Sequence, residues 1–222
     1  MAASSSRSTK LLLIRHGETD DNHNRIFQGQ GGEGLNARGR EQAKRLATRM
    51  SAPQRVHLHA LYCSDLARAR ETAEILGEAL GLSPIEEPAV REVDLGAWQG
   101  LDDDEVALRF PNEWDAWRNG RDIKRGGGET YAELQARVAG ALEKIVDKHR
   151  GQAVGVVSHG AAIKVFVAHV LGLPLSRLRF FMAATNTALN LFEIDERGAK
   201  LVIWNDAAHL RDPIVEALCS PP

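Results

Sequence analysis

Three short apolar runs constrain this chain most: Leu11–Ile14, Leu58–Cys63 and Ala153–Val157. They are too short to be self-sufficient helices and too apolar for strands with one face in water, so each reads as a strand buried on both sides. Helical patterns separate them. Asn36 is placed to cap a helix to about Met50, with Ala43, Leu46 and Ala47 on its apolar side. Ser64 or Asp65 is the expected cap of a second helix, which runs to about Leu80 and closes at Gly81. From Thr130, the residues Leu134, Val138, Ala141, Leu142, Ile145 and Val146 recur at helical spacing, and a last helix follows at about Ala161–Leu171. Pro84–Glu87 reads as a short edge strand, and Ala188–Ile194 with Lys200–Trp204 as a hairpin turning at Asp195-Glu196-Arg197-Gly198. Strands alternating with helices predict an α/β fold, its sheet mostly parallel, covered on both faces, with an antiparallel pair near the end.

A chain of 222 residues can bury one sizeable core. The expected organisation is a single domain over residues 10–212, a cap-like insertion at about 101–125, and tails at 1–9 and 213–222. The net charge of -2 offers no global attraction to nucleic acid or an anionic membrane, so neither is an expected partner. An anionic ligand must instead be held by a local cluster of Arg and His. Cys63 and Cys219 lie far apart in unlike surroundings, which argues against a zinc site or a disulfide framework. The Ser-rich start, Met1–Lys10, has no apolar stretch of signal-peptide length, and the expected location is cytoplasmic. Oligomeric state is open, a homodimer being among the arrangements allowed.

The polar residues that follow the apolar runs are alike. The first run leads into Arg15-His16-Gly17-Glu18-Thr19, the second into Ser64 with Arg68 one helical turn on, and the third into Ser158-His159-Gly160. Open α/β sheets bind ligands beyond the carboxyl ends of their strands. Two arginines and two histidines delivered to that edge form a cationic pocket, and helix N-termini there add N–H donors suited to phosphate. Gly17 and Gly160 are expected to leave room beside each histidine for a closely approaching ligand.

Taken together, these segments resemble the histidine phosphatase superfamily, which includes cofactor-dependent phosphoglycerate mutases, from about Lys10 to Leu210. Leu12-Leu13-Ile14-Arg15-His16-Gly17-Glu18-Thr19 is similar to the family signature, with His16 in the place of the nucleophile. Asn22 and Gln28-Gly29 follow as in many members. Ser64-Asp65-Leu66-Ala67-Arg68-Ala69-Arg70-Glu71-Thr72-Ala73 resembles the segment that supplies the second phosphate-binding arginine, Arg68. Arg91-Glu92-Val93-Asp94-Leu95-Gly96-Ala97-Trp98-Gln99-Gly100 resembles the segment with the proton donor, Glu92, and Gly127-Gly128-Glu129-Thr130 with Ser158-His159-Gly160 complete the order. The resemblance implies a three-layer α/β/α sandwich, a small phosphomonoester as substrate, no metal and no other cofactor.

The chemistry accounts for each residue type. A neutral imidazole can attack a phosphate monoester without the repulsion an anionic nucleophile meets, giving a phosphohistidine on His16. Arg15 and Arg68 can grip the equatorial oxygens in fork geometry, and His159 can donate to them. Glu92 is the candidate acid for the leaving oxygen and base for the attacking water. Asn22, Gln28 and Ser64 are second-rank phosphate contacts. Trp114 and Trp117 either line the mouth or pack a cap on the core. Arg118, Arg121, Lys124 and Arg125 read either as a solvated face or as a site for a second anionic group. The leading function is a phosphatase; a phosphoglycerate mutase and a non-catalytic phosphate-binding module are the alternatives. Mutases of the resembled family share a longer, proline-rich insertion between the two glutamate segments, so by that resemblance the short stretch between Glu92 and Glu129, with Pro111 as its single proline, favours the phosphatase.

Overall fold

The structure, a computed structural model, describes residues 8–52 and 57–211. Among these residues six strands form one sheet: β1 (Thr9–Arg15), β2 (Ala60–Cys63), β3 (Ile85–Glu86), β4 (Ala153–Ser158), β5 (Leu189–Asp195) and β6 (Gly198–Asp206), ordered β3-β2-β4-β1-β5-β6. The strands β1, β2, β3 and β4 pair in parallel, and β5 runs antiparallel to both β1 and β6. This is the sheet expected from the sequence. Of the expected tails, residues 1–7 and 213–222 lie outside the described residues, as does Cys219; Thr9 already belongs to β1.

Among the described residues, seven α-helices accompany the sheet: α1 (Asp20–Asn24), α2 (Ala37–Met50), α3 (Ala67–Leu80), α4 (Asp103–Arg109), α5 (Pro111–Arg118), α6 (Tyr131–Lys148) and α7 (Gly160–Leu171). Strand periodicity sorts the core. Leu11 and Leu13 of β1 join Val154 and Val156 with Leu134, Val138, Leu142 of α6 and Ile163, Phe166 of α7. Ile14, Leu61, Cys63 and Val157 instead meet Leu46 and Ala47 of α2 and Ala69, Ala73 and Leu76 of α3. Helices thus cover both faces, giving three layers.

Helix ends mostly follow local chemistry. Asn36 accepts from Gly39 N–H at the start of α2, Thr130 and Glu133 form a reciprocal capping box on α6, and Gly81, at φ 68, closes α3. The expected cap of α3 is corrected. Its N-cap position is Leu66, which offers no side-chain acceptor, because the Asp65 carboxylate is committed to an ion pair with Arg91. The Ser64 hydroxyl accepts from Leu66 N–H, within the turn that precedes the helix. The five-residue α1, capped by Thr19, carries no buried residue, so no apolar periodicity announced it.

The segment from α4 to residue 128 is anchored in two ways. Trp114 and Trp117 of α5 pack with Phe27 and the fully buried Trp98, ring centroids 5.3–6.3 Å apart. The turns at Gly96 and Gly126 also interlock: both glycines have positive φ, at 47° and 56°, a Cβ on Gly96 would meet the Gly126 backbone, and one on Gly126 would meet the backbone of Leu95 and Ala97 on either side of Gly96. A Cβ on Gly126 would lie 2.5 Å from Ala97 N. Gly126→Ala should therefore lower the unfolding free energy by about 2–4 kcal/mol, from left-handed strain plus overlap. Gly140→Ala, a helical site on α6 with open space around it, should be neutral or stabilising by up to about 1 kcal/mol. Urea denaturation of the two variants checks the contrast, and equal effects would contradict the interlock.

Candidate active site

The parallel register of β1 on β4 sets the site. Arg15 pairs with Ser158, and His16 N–H donates to Ser158 O at 3.0 Å, so the next residues, His16 and His159, emerge side by side. Their ring centroids are 5.1 Å apart. His16 Nδ1 lies 2.7 Å from Gly17 O; since a carbonyl can only accept, Nδ1 carries the hydrogen, and the Nε2 lone pair is left for chemistry. The backbone of His16 is fixed from several directions. Asn186 Nδ2 donates to His16 O at 2.9 Å, Thr187 N–H donates to Arg15 O at 2.9 Å, and Gly17 N–H donates to Thr72 Oγ1 at 3.0 Å.

The room expected beside the two histidines has other uses. A Cβ on Gly17 would lie 2.6 Å from Gly39 O, and one on Gly160 would lie 3.2 Å from Ala183 Cβ. Gly17 admits the first turn of α2, and Gly160 admits the 183–184 segment and the Arg15 side chain; neither opens a path for ligand.

Both arginines are where the sequence placed them, at the edge of a cleft of about 200 Å³ lined by His16, Glu92, Asn22 and Gln28 as well. Arg15 Nη1 donates to Ala184 O at 2.7 Å; Arg68 donates to Gly31 O at 2.8 Å and Gly29 O at 2.6 Å. Both Nε atoms are buried without a partner, and among the described residues neither guanidinium has a carboxylate ion pair. Burial lowers the pKa of both despite the opposing pull of Glu92, that of Arg68 to about 10. A fully buried Arg68 and a half-buried Arg15, neither with an ion-pair partner among the described residues, make a site suited to an anion.

Those cations also set the state of the imidazoles. Burial, then Arg68 and Arg15, hold His16 well below the usual histidine range, which keeps it neutral and nucleophilic near pH 7. His159 is fully buried and lowered by burial, Arg68, His16 and Arg15, and both its ring nitrogens lack partners.

Glu92 stands at the start of α7. Its Oε2 accepts from Ala161 N–H at 3.0 Å and its Oε1 from Ala162 N–H at 3.1 Å and Val93 N–H at 2.9 Å. The peptide of Glu92 is held by residues the sequence reading missed: Gln30 Nε2 and Arg137 Nη2 both donate to Glu92 O, at 3.1 and 3.2 Å. Arg137 also clamps Glu129 with two hydrogen bonds, at 2.9 and 2.7 Å. Burial raises the Glu129 carboxyl most strongly of any single cause, but the Arg137 bonds, the Asp94 N–H and the charge of Arg137 together hold it below its usual value. The glutamate of the Gly-Gly-Glu-Thr motif therefore supports the loop that carries Glu92. Arg137 had one available signal, a charge directly beside the apolar stripe of α6.

The second-rank candidates divide. Asn22 lines the cleft, its Oδ1 accepting from Asn186 Nδ2 at 3.0 Å. Gln28 lines it too, with Oε1 accepting from Thr19 and a buried Nε2 without a partner. Ser64 is fully buried and is not among the cleft-lining residues. Trp117 lines the cleft while Trp114 packs behind it. The basic run also splits: Arg118 lies over the Trp114 ring and Lys124 pairs with Glu133 at 3.0 Å, whereas Arg125 turns inward and is buried. Among the described residues, no group of three or more His, Cys, Asp or Glu is arranged to hold a metal, and no helix is long and apolar enough to cross a membrane.

The buried imidazoles make stability depend on pH. In the unfolded chain His16 and His159 return to about pKa 6.5. Their folded values are lower, so below about pH 6.5 the unfolded chain binds more protons. Stability present above that pH is lost as the pH falls toward the folded values. His209, pushed down to about 4 by burial and then Arg49, acts in the same direction. The urea midpoint should fall between pH 7 and pH 5, above the usual carboxylate range, and His159→Gln should flatten that slope. A midpoint that rises on acidification would contradict neutral buried imidazoles.

Comparison with known proteins fits this geometry. The model of the histidine phosphatase superfamily (branch 1) matches residues 11–207. The chain is 34% identical to "Phosphoserine phosphatase 1" of Hydrogenobacter thermophilus, over 94% of this chain and 97% of that protein. It is 36% identical to "Phosphoglycerate mutase-like protein 4" of Arabidopsis thaliana, over 91% and 87%. Among solved structures, Bacillus stearothermophilus YhfR superposes with a TM-score of 0.84 at 32% identity, covering 91% of this chain and all of that one. By sequence, fold and the matching order of its motifs, the chain belongs to the histidine phosphatase superfamily.

Proposed function

We propose that the chain is a phosphatase that hydrolyses small phosphomonoesters through a phosphohistidine on His16 Nε2. The observation that carries this is a neutral imidazole with one free lone pair, set beside the guanidinium groups of buried Arg68 and half-buried Arg15, which among the described residues have no ion-pair partner. In the first half-reaction the Nε2–P bond forms as the ester P–O bond breaks, and the leaving oxygen takes a proton from Glu92. In the second, water attacks phosphorus, its proton passes to Glu92, and the N–P bond breaks to release inorganic phosphate. Arg15 and Arg68 stabilise charge on the equatorial oxygens, supplying the positive field on which phosphoryl transfer depends. His159, neutral and with otherwise unpartnered ring nitrogens, donates one N–H to the same group. The 34% identity to a protein named phosphoserine phosphatase supports this reading.

A mutase shares the first half-reaction and differs in keeping water from the phosphohistidine. Here the cap is two short helices, α4 and α5, and the cleft stays open to solvent, which favours hydrolysis. A cytoplasmic location belongs to the same proposal, since small phosphate esters are the substrates it calls for.

With radiolabelled phosphomonoester and an acid-free quench, label should be trapped on wild-type protein and be absent from His16→Ala. The isolated adduct should then release inorganic phosphate even when 3-phosphoglycerate is present. Transfer of the label to phosphoglycerate would make the chain a mutase, and an adduct on His159 would exchange the two histidine roles.

Glu92 is tested through the leaving group. Under conditions where phosphorylation limits the rate, Glu92→Gln should cost alkyl phosphates about 10²–10⁴-fold in rate and nitrophenyl phosphate far less, since nitrophenolate departs without a proton. Equal losses would reduce Glu92 to a structural residue.

A further inference from the structure

Among the described residues, three that are not glycine have positive φ: Arg25, Thr187 and Asn205. Arg25 closes α1, an ordinary place for such a residue. Thr187 lies beside the end of β1. Because β5 pairs antiparallel with β1, with Leu189 opposite Ile14, the connection before β5 passes next to Arg15 and His16. Asparagine tolerates the left-handed region, whereas threonine, branched at Cβ, rarely enters it. Thr187, at φ 60, is fully buried there. Strain of this kind persists only where neighbouring bonds impose it, and it collects at functional sites.

The imposing bonds lead away from the cleft. Thr187 N–H donates to Arg15 O at 2.9 Å and to His16 O at 3.3 Å, so it holds the peptides on both sides of the nucleophile. Its hydroxyl donates to Asn186 O at 2.7 Å, which leaves His209 Nε2, 2.8 Å from the hydroxyl oxygen, as a donor to it. His209 follows β6 in the turn Ala208–Leu210 and is not among the cleft-lining residues. Burial, then Arg49, pushes its pKa down to about 4, so near neutral pH the ring keeps a single hydrogen, on Nε2. Its Nδ1 is buried without a hydrogen-bond partner, and among the described residues no carboxylate forms an ion pair with it. Asn205 braces the same connection. Its Oδ1 accepts from Thr185 N–H at 2.6 Å, and its own N–H donates to the buried Asn190 Oδ1 at 2.9 Å.

Building on the phosphatase reading, we propose that His209 is a positioning residue for the nucleophile: through the Thr187 hydroxyl it holds the peptides on either side of His16, and thereby the line along which Nε2 meets phosphorus. The imidazole is tied to this backbone by its bond from Nδ1 to Gly17 O, so a shift of the peptides carries the ring with it. In-line attack is sensitive to such shifts, a misplacement of about 1 Å costing on the order of 10²-fold in rate. Arg68 is held by a different loop, at Gly29 and Gly31, so its grip on phosphate oxygens does not depend on His209.

Two measurements separate position from binding: the rate of phosphohistidine formation from nitrophenyl phosphate, by rapid acid-free quench, and the competitive inhibition constant of inorganic phosphate. His209→Leu removes the donor and should slow adduct formation about 10–100-fold while shifting the phosphate constant less than about threefold. His209→Gln, whose amide can donate from the same place, should recover most of the rate. Thr187→Gly accepts the same φ without strain but lacks the hydroxyl, and should be slowed like His209→Leu. Adding His209→Leu to Thr187→Gly should then cost less than about threefold more, because the two residues act as one unit. Should His209→Leu fail to fold, Thr187→Gly decides, and an unchanged rate in it overturns the proposal. Full-speed adduct formation in His209→Leu, phosphate affinity lost in step with rate, or a Gln variant as slow as the Leu variant would also overturn it, leaving the phosphatase reading intact. Absence of an adduct on His16 of the wild-type protein would overturn that reading and this proposal with it.

Discussion

The site depends first on the hydrogen-bond register between β1 and β4. Pairing of Arg15 with Ser158 brings two imidazoles from residues 143 positions apart in sequence to a ring separation of 5.1 Å. Slipping that register by one residue would turn every side chain of the strand to the opposite face and separate the pair. What prevents the slip is burial on both sides: Leu11 and Leu13 are committed to the α6–α7 layer, and Ile14 to the α2–α3 layer. The same packing that stabilises the sheet therefore aligns the reactive groups.

Burial then does electrostatic work. Arg15 and Arg68 are held by backbone carbonyls rather than carboxylates, so their charge is positioned but not neutralised. Carbonyl dipoles take up Nη donors of both groups and leave each Nε free, whereas an Asp or Glu in their place would compete with phosphate for the forks. Burial first, and then the uncancelled field, lower the proton affinity of His16 and His159, and the carbonyl of Gly17 selects the tautomer of His16. Protonation state, tautomer and anion affinity thus follow from one arrangement. Glu92 is separated from this by its own support: Arg137 and Gln30 hold its peptide while the start of α7 receives its carboxylate.

The sequence and the structure part company where a residue's role depends on a distant partner. Sequence reading assigns the space beside Gly17 and Gly160 to an approaching ligand, but packed backbone and side chain take it instead. Ser64 follows a buried strand as the pattern required, yet its hydroxyl serves a turn outside the cleft lining. Arg137, Asn186 and Thr187 reach the site from a helix face and from a loop, with no motif of their own. Arg125 stood inside a basic run that composition alone could not divide, and only its neighbours show it turned inward while Lys124 pairs with Glu133 on the outside.

By itself, the sequence determined the layered α/β architecture, because short apolar runs alternating with amphipathic helices have few other ways to bury their surface. It also determined Arg15, His16, Arg68 and His159 as residues of one sheet edge, since each lies just beyond a strand or in the first turn of the helix that follows. Those are local properties, set by spacing along a few residues. Tertiary structure alone decided which nitrogen of His16 is free, which guanidinium groups lack an ion-pair partner among the described residues, and what steadies Glu92. Each of these is a relation between side chains brought together by packing, and its energy depends on separation and burial in three dimensions, which spacing along the chain does not encode.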